Sequence, residues 1–144
     1  MTQIDFYFNA DEKLQVACRL AGKALGSRKR MLIYAPAAEL AQRIDHLLWS
    51  WPATGFAPHC AAHDAMAAQT PIVIAATGEV PPGIDLLLNL SSDCPPHFEQ
   101  FGRLLEIVAR DEVERKHGRA RYRYYRDRGY QVADHDLARE ARHE

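Results

Sequence analysis

The first third of the chain alternates between short apolar runs and segments with helical periodicity. Residues 4–8 form a first run typical of a strand, and residues 31–35 form a second one, which Pro36 ends. After each run, apolar side chains recur every three or four positions, which predicts helices over residues 14–25 and 40–48. The order strand, helix, strand, helix is typical of an α/β fold.

Three further apolar runs follow, at residues 72–75, 85–90 and 104–108. The first two are nearly continuous, as in strands that are buried on both faces of a parallel or mixed sheet. Periodicity does not separate a strand from a helix in the third run, and we predict a strand. A brief helix is expected over residues 96–101, and a longer one over residues 111–128 with Gly129 as its stop.

The pattern therefore predicts one α/β domain over residues 1–130. Its sheet is expected to be mostly parallel or mixed and flanked by helices, in a Rossmann-like topology without a nucleotide site. The polar residues 131–144 are expected to form a loosely ordered C-terminal tail.

The composition indicates how large a core the chain can form and in which cellular compartment the protein is expected. With 144 residues and 47% hydrophobic residues, the chain has the material for a single core. No apolar run approaches the roughly eighteen residues that a membrane-spanning helix needs, and the first residues do not resemble a secretion signal. We expect a cytoplasmic protein without a membrane partner, whose three cysteines are reduced.

Charge is unevenly distributed along the chain. The net charge is −1, but residues 115–128 contain seven arginine or lysine residues and one acidic residue, so the rest of the chain is acidic. One concentrated basic element predicts a localised anion-binding surface, and it argues against a protein that coats DNA.

Helical geometry places part of this basic segment on one face. At 100° per residue, a face about 100° wide collects four arginines around one tyrosine: Arg115, Arg119, Tyr122, Arg123 and Arg126. One interpretation is a solvated helix whose arginines pair with the acidic remainder of the protein. The other is a binding site for an acidic peptide, because guanidinium groups bind carboxylates bidentately and a tyrosine ring offers an apolar wall.

A second candidate surface lies where the 40–48 helix ends. Large aromatic side chains and a proline cluster there, namely Trp49, Trp51, Phe56 and Pro58. Such a cluster is either part of the core or an anchor for a protein partner, since each aromatic ring buries a large area at a low cost in entropy.

Catalytic and cofactor chemistry find little support. The first strand is followed by Asn9-Ala10-Asp11-Glu12, which has no glycine to cradle a phosphate and two carboxylates that would repel one. No nucleophile with an adjacent base stands out, so we predict a non-enzyme without a cofactor. Five potential metal ligands occur at spacings close to those of zinc sites: His59, Cys60, His63, Cys94 and His97. The alternative is that they are ordinary turn and core residues, and we assign no metal.

Several short motifs occur in a joint order along nearly the whole chain: Phe6-Tyr7, Leu48-Trp49, Phe56-x-Pro58-His59, Leu88-Asn89-Leu90, Glu106-Ile107-Val108, and Arg119-x-Arg121-Tyr122-Arg123-x-Tyr125-Arg126 with Gly129-Tyr130. In these motifs and their order the chain resembles the chi subunit of the bacterial DNA polymerase III holoenzyme. Family members often carry a glycine-rich loop after the Pro-His pair, whereas this chain has residues 60–66 without glycine.

The resemblance implies a non-catalytic α/β accessory subunit of DNA replication. Such subunits join the psi subunit of the clamp loader to the acidic C-terminal tail of single-stranded-DNA-binding protein, and a helicase is a further candidate partner. By position, the resemblance implies a tail site that comprises Arg115, Arg119, Tyr122, Arg123 and Arg126 with Val108 as a wall. It implies a psi-facing side that includes Trp49, Phe56 and Pro58. Direct binding of single-stranded nucleic acid by the basic helix is the alternative.

Overall fold

The structure is a computed structural model, and it describes residues 1–51, 59–62 and 64–142. The described residues form seven strands, β1 (Gln3–Ala10), β2 (Met31–Tyr34), β3 (His59–Ala61), β4 (Ile72–Ala75), β5 (Leu86–Asn89), β6 (Arg103–Ala109) and β7 (Val132–Asp136). They also form four helices, α1 (Lys13–Gly26), α2 (Ala38–Ser50), α3 (Glu112–Asp127) and α4 (Leu137–Arg142). None of these helices combines the length and the apolar character that crossing a bilayer requires.

All seven strands belong to one parallel sheet with the order β3-β4-β2-β5-β6-β1-β7. Parallel neighbours need crossover connections, and the helices in these crossovers cover the faces of the sheet. The predicted fold class, a single α/β domain of Rossmann-like type, is confirmed, and the sheet is parallel throughout. The strand predicted at residues 104–108 is also confirmed as β6.

The helices divide between the two faces of the sheet. Buried residues of α1 and α2 pack with β-strand residues such as Tyr7 and Ile107 on one face, and α4 joins them through Leu137. Tyr122 and Tyr125 of α3 pack with Phe6 and Val108 on the other face. Because side chains alternate along a strand, Glu106 of β6 points to the α3 side.

The C-terminal segment differs from the sequence prediction of a loosely ordered tail. Residues 132–136 form β7, which pairs in parallel with β1, and residues 137–142 form α4. Three polar contacts explain the order. His135 Nε2 lies 3.0 Å from Asp5 Oδ1, Asn9 Nδ2 donates to Asp136 Oδ1 at 2.9 Å, and Tyr122 donates to Asp134. Each of these contacts joins residues far apart in sequence or on different elements, so hydropathy does not reveal it.

A second difference concerns the expected helix over residues 96–101. The structure has a single 3-10 turn there, at Phe98–Gln100. Phe98 is buried against Tyr125 and Tyr130. The turn therefore serves to anchor an aromatic side chain in the core rather than to form an amphipathic helix.

Candidate functional site

The sequence of α3 carries clear signals for both of its ends. The Asp111 side chain caps the N-terminus by accepting the Glu114 backbone N–H at 2.9 Å, and Glu112 and Glu114 complement the helix dipole. Gly129, with φ of +83°, follows the C-terminus in the left-handed conformation that glycine adopts without strain. The helix predicted at residues 111–128 is confirmed with bounds one residue shorter at each end.

The arginines of α3 do not all belong to one surface. Arg121 is 2% exposed and lies with Tyr125 against the sheet. The four arginines predicted for the basic face are exposed, and Tyr122 between them is half-buried: Arg115, Arg119, Arg123 and Arg126. Six of the seven basic residues over 115–128 are therefore exposed, because Arg121 is buried, and the four arginines of the predicted face are among the six.

Glu106 is the buried partner of Arg121. Arg121 Nε donates to Glu106 Oε1 at 3.0 Å, Tyr125 OH donates to Oε2 at 2.6 Å, and Asn89 Nδ2 lies 3.1 Å from both oxygens. Burial raises the pKa of Glu106, and these three donors act in the opposite direction. The pKa of Tyr125 is raised by its burial and by the neighbouring carboxyl group.

This buried network fixes the orientation of α3. Arg121 also donates from Nη1 to the Ser92 carbonyl at 2.9 Å, and Asn89 donates to the Asp93 carbonyl at 2.9 Å. The loop after β5 is thereby tied to both β6 and α3. Because one side of α3 is held in this way, its opposite side is presented in a defined position.

A cavity of about 290 Å³ lies beside the exposed face of α3. Its apolar lining comes from β1, β6 and α3, and its polar lining includes two arginines of the basic face: Phe6, Phe8, Val108, Tyr122, Arg115 and Arg119. Phe6 and Tyr122 meet edge to face with their ring centroids 5.1 Å apart. This volume is near the lower end of ordinary ligand sites, so the cavity suits one side chain or a small group rather than a large cofactor.

Gly118 makes the close approach of α3 to β6 possible. A Cβ atom at this position would lie 2.7 Å and 2.9 Å from the two methyl groups of Val108. These distances are too short for carbon atoms, so any larger residue would displace either the helix or the valine. A glycine inside a helix lowers helix stability by about 1 kcal/mol relative to alanine. Here the absence of a side chain leaves the space that Val108 occupies in the cavity wall.

A second cavity continues along α3 from the first one. Its volume is about 470 Å³, and Arg119 and Tyr122 border both cavities. Arg123, Arg126 and Asp127 complete the lining of the second cavity. The guanidinium carbon of Arg126 lies 5.8 Å from the centre of the Tyr122 ring, in the range of a cation–π contact.

Few acidic groups neutralise this surface. Arg119 Nη2 lies 3.9 Å from Glu112 Oε1, and both side chains are largely exposed, so the pair is worth at most about 1 kcal/mol. Within residues 1–51, 59–62 and 64–142, no ion pair involves the other three arginines of the face. The structure thus brings together the five predicted helix residues and Val108, and it leaves most of their positive charge available.

Sequence reasoning missed the contributions of Phe6 and Asp134 to this region. In the sequence, Phe6 stands out only as part of a motif, and Asp134 falls in the predicted tail. The register of the sheet brings both to the cavity, because Phe6 of β1 pairs with Asp134 of β7 and with Glu106 of β6. Residues 132–136 read Val-Ala-Asp-His-Asp, with two apolar residues followed by three polar ones, so their hydropathy gives no signal for β7.

The second predicted surface is described at Trp51, which is half-buried against the core cluster that contains the buried residues of α1 and α2, and at Trp49. This side chain is 57% exposed at the end of α2, where its ring lies 4.2 Å from the His59 ring. Its exposure excludes the interpretation of Trp49 as a core residue. Phe56 and Pro58 lie outside the described residues. His63 does as well, and among the residues that the structure describes, no group of three or more His, Cys, Asp or Glu side chains could hold a metal ion.

The fold and the site define a small α/β protein in which an apolar cavity adjoins the arginine-rich face of one helix. The profile of the DNA polymerase III chi subunit family (HolC) matches residues 1–133. The chain is 41% identical to DNA polymerase III subunit chi of Pseudomonas aeruginosa, over 96% of this chain and 99% of that protein. It is 28% identical to DNA polymerase III subunit chi of Escherichia coli, over 82% of this chain and 81% of that protein.

The chain belongs to the DNA polymerase III chi subunit family. Chi is an accessory subunit of bacterial DNA replication, so the family suggested by the sequence motifs is confirmed. Among solved structures, the S. cerevisiae Dbp5 C-terminal domain bound to Gle1 and IP6 has a TM-score of 0.61 at 11% identity, over 94% of this chain and 90% of that one. Dbp5 bound to RNA and ADP BeF3 has a TM-score of 0.66 at 13% identity, over 94% of this chain and 41% of that one. These likenesses concern the fold alone.

Proposed function

We propose that this chain is a non-catalytic bridging subunit with two protein-binding surfaces. The face of α3 binds the acidic C-terminal tail of single-stranded-DNA-binding protein, and the Trp49 end of α2 binds a psi-like subunit of the clamp loader. The observation that carries the proposal is the apolar cavity beside four exposed arginines.

The chemistry of the cavity favours a peptide that ends in an aromatic residue preceded by acidic residues. An aromatic ring would contact Phe6, Val108 and Tyr122, as rings prefer edge-to-face or offset contacts with other rings. The carboxylates of the peptide would accept charge-assisted hydrogen bonds from Arg115 and Arg119. The peptide residues that precede the aromatic one would lie along Arg123 and Arg126 in the second cavity.

The position of the two surfaces supports simultaneous binding. α3 packs on one face of the sheet, whereas α2 packs on the other. A ligand on α3 therefore does not need to compete with a partner that contacts Trp49. A large exposed aromatic side chain is a usual anchor of a protein interface.

A peptide titration tests the tail site. We expect a peptide with an acidic sequence and a C-terminal phenylalanine to bind the wild-type chain with an affinity that falls as salt rises. Arg119→Glu should lower the affinity by at least about tenfold, because a charge-assisted hydrogen bond is worth about 1.5–3 kcal/mol. Arg19→Glu is the matched control, since Arg19 is exposed on α1 at the opposite face of the sheet.

Two results would count against the tail site. Equal peptide affinity of the wild type and Arg119→Glu would show that the peptide binds elsewhere. Binding of a single-stranded oligonucleotide at physiological salt, without competition from the peptide, would favour the alternative in which α3 contacts nucleic acid directly.

A further inference from the structure

One acidic side chain lies among the basic and apolar residues of the 290 Å³ cavity. Asp134 of β7 is the only carboxylate that lines this cavity within the described part of the chain, and it shares the lining with Arg115 and Arg119. Its Oδ2 atom accepts a hydrogen bond from the Tyr122 hydroxyl at 3.2 Å. Burial raises the pKa of Tyr122, and the hydrogen bond and charge of Asp134 add to this effect.

The position of Asp134 is fixed by its neighbours on β7. The strand pairs in parallel with β1, with Asp134 opposite Phe6. On one side of Asp134, the ring of His135 stacks on Tyr7 with centroids 4.5 Å apart and contacts Asp5. Asp136 then accepts from Asn9, and it also caps α4. The carboxylate is therefore held at the cavity by the sheet.

Asp134 presents to Tyr122 the same chemical group that an acidic peptide would present. Because the Tyr122 hydroxyl already donates its hydrogen bond to Asp134, it is not available as a donor to a carboxylate of the ligand. Its negative charge also opposes the approach of ligand carboxylates to Arg115 and Arg119.

We propose that Asp134 is an internal competitor, which occupies the Tyr122 hydroxyl in the free protein and weakens the binding of acidic peptides at the cavity. This inference rests on the proposed tail site. The competitor keeps affinity below the maximum that four arginines could supply. It also selects against ligands that offer charge alone, because only a ligand whose ring fills the apolar part of the cavity compensates for the repulsion.

The test compares peptide affinity of the wild type and Asp134→Asn in the full-length chain. Asparagine keeps the shape of the side chain and an acceptor oxygen for Tyr122, while it removes the negative charge and replaces the other oxygen by an NH2 donor. We expect Asp134→Asn to bind the acidic peptide with C-terminal phenylalanine about two- to fivefold more tightly at low salt, with the gain shrinking as salt rises. Circular dichroism and thermal unfolding of the variant should match those of the wild type, since Asp134 is exposed.

Glu39→Gln is the matched control for net charge. Glu39 is exposed in the first turn of α2, on the face of the sheet opposite α3. The substitution removes the same charge, so the affinity of this variant should equal that of the wild type. An equal gain in both variants would reduce the effect of Asp134 to net charge and overturn the inference.

The remaining outcomes separate this inference from the tail site itself. If the wild type binds the peptide and Asp134→Asn binds it equally or more weakly, Asp134 supports the site instead of competing, and the inference is overturned while the tail site stands. If neither chain binds the peptide, the proposed tail site fails and the inference fails with it.

Discussion

Replacing the buried Arg121 by methionine tests how α3 is held on the sheet. Methionine has a similar length and fills the space, but it leaves Glu106 as a fully buried carboxyl group without its cationic partner. Arg123 is the matched control, because it lies two residues further along the same helix and is exposed. The same substitution there removes one positive charge and no buried contact.

The structure sets the size of the expected effect. Arg121→Met removes the hydrogen bonds from the guanidinium to Glu106 and to the Ser92 carbonyl, each worth about 1.5–3 kcal/mol because the donor is charged, and it leaves a buried carboxylate without a cation. Breaking a buried ion pair in this way costs about 3–5 kcal/mol, against a total stability of about 5–15 kcal/mol for a domain. We expect Arg123→Met to change stability by no more than about 0.5 kcal/mol.

Urea unfolding followed by circular dichroism measures both variants. For a chain of this size, the expected loss in Arg121→Met corresponds to a fall in Tm of about 10 °C or more. The loss should grow as pH rises from about 5 to about 8. Removal of Arg121 raises the pKa of Glu106 in the folded state further above its unfolded value, so ionisation of this group opposes folding at higher pH.

A double variant separates the ion pair from packing. Glu106→Leu with Arg121→Met removes both charges of this buried network, so it should be more stable than Arg121→Met alone. A cost below about 1 kcal/mol for Arg121→Met, equal to that of Arg123→Met, would refute the claim that the buried network positions α3.

Three further predictions concern other parts of the molecule. Gly118→Ala should weaken peptide binding and lower stability, because the new methyl group would lie within 3 Å of Val108. Adding Val108→Ala should restore part of the affinity and part of the stability. A Gly118→Ala variant that binds and unfolds like the wild type would contradict this prediction. Trp49→Ala should leave unfolding unchanged and should weaken binding of a psi-like subunit by about 2 kcal/mol or more. Met66→Ala, at another exposed apolar side chain, is the control. Loss of folding in Trp49→Ala would contradict the interface role. Burial works to raise the pKa of Asp5, but the hydrogen bonds and charges of Arg103 and His135 outweigh it and hold the pKa below its ordinary value. The stability that Asp5 contributes is therefore present above about pH 4, the pKa of an unfolded aspartate, and is lost as the pH falls below it. The stability difference between wild type and Asp5→Asn should therefore shrink on acidification, and a constant difference would contradict the assignment.

Much of the basic face could be predicted from sequence because it depends on one helix. Helical spacing places Arg119 and Arg123 on one side, and it also places Arg121 about 200° from Arg119, on the side that faces the sheet. To predict that Arg121 is buried, a second observation is needed, namely the acidic Glu106 inside an otherwise apolar strand. A buried acid in a strand is costly unless it is paired, so the sequence alone contains enough to match these two residues.

The cavity and the C-terminal strand could not be predicted from the sequence in the same way. The cavity depends on the close contact of Gly118 with Val108, and a glycine in a helix has the same appearance in sequence whether or not it touches a strand. β7 is held by contacts of Asp134, His135 and Asp136 with distant residues, and its polar sequence resembles that of a free tail. Tertiary pairing outweighed local composition in both places.

Retention of single-stranded-DNA-binding protein by the immobilised chain tests the central claim most directly. The full-length protein and a form that lacks its acidic C-terminal residues would be passed over the wild-type chain and over Arg119→Glu at moderate salt. The account predicts that the wild-type chain retains the full-length protein and not the truncated form, and that Arg119→Glu retains neither. Equal retention of both forms by the wild-type chain would contradict the assignment of the α3 face to an acidic chain end.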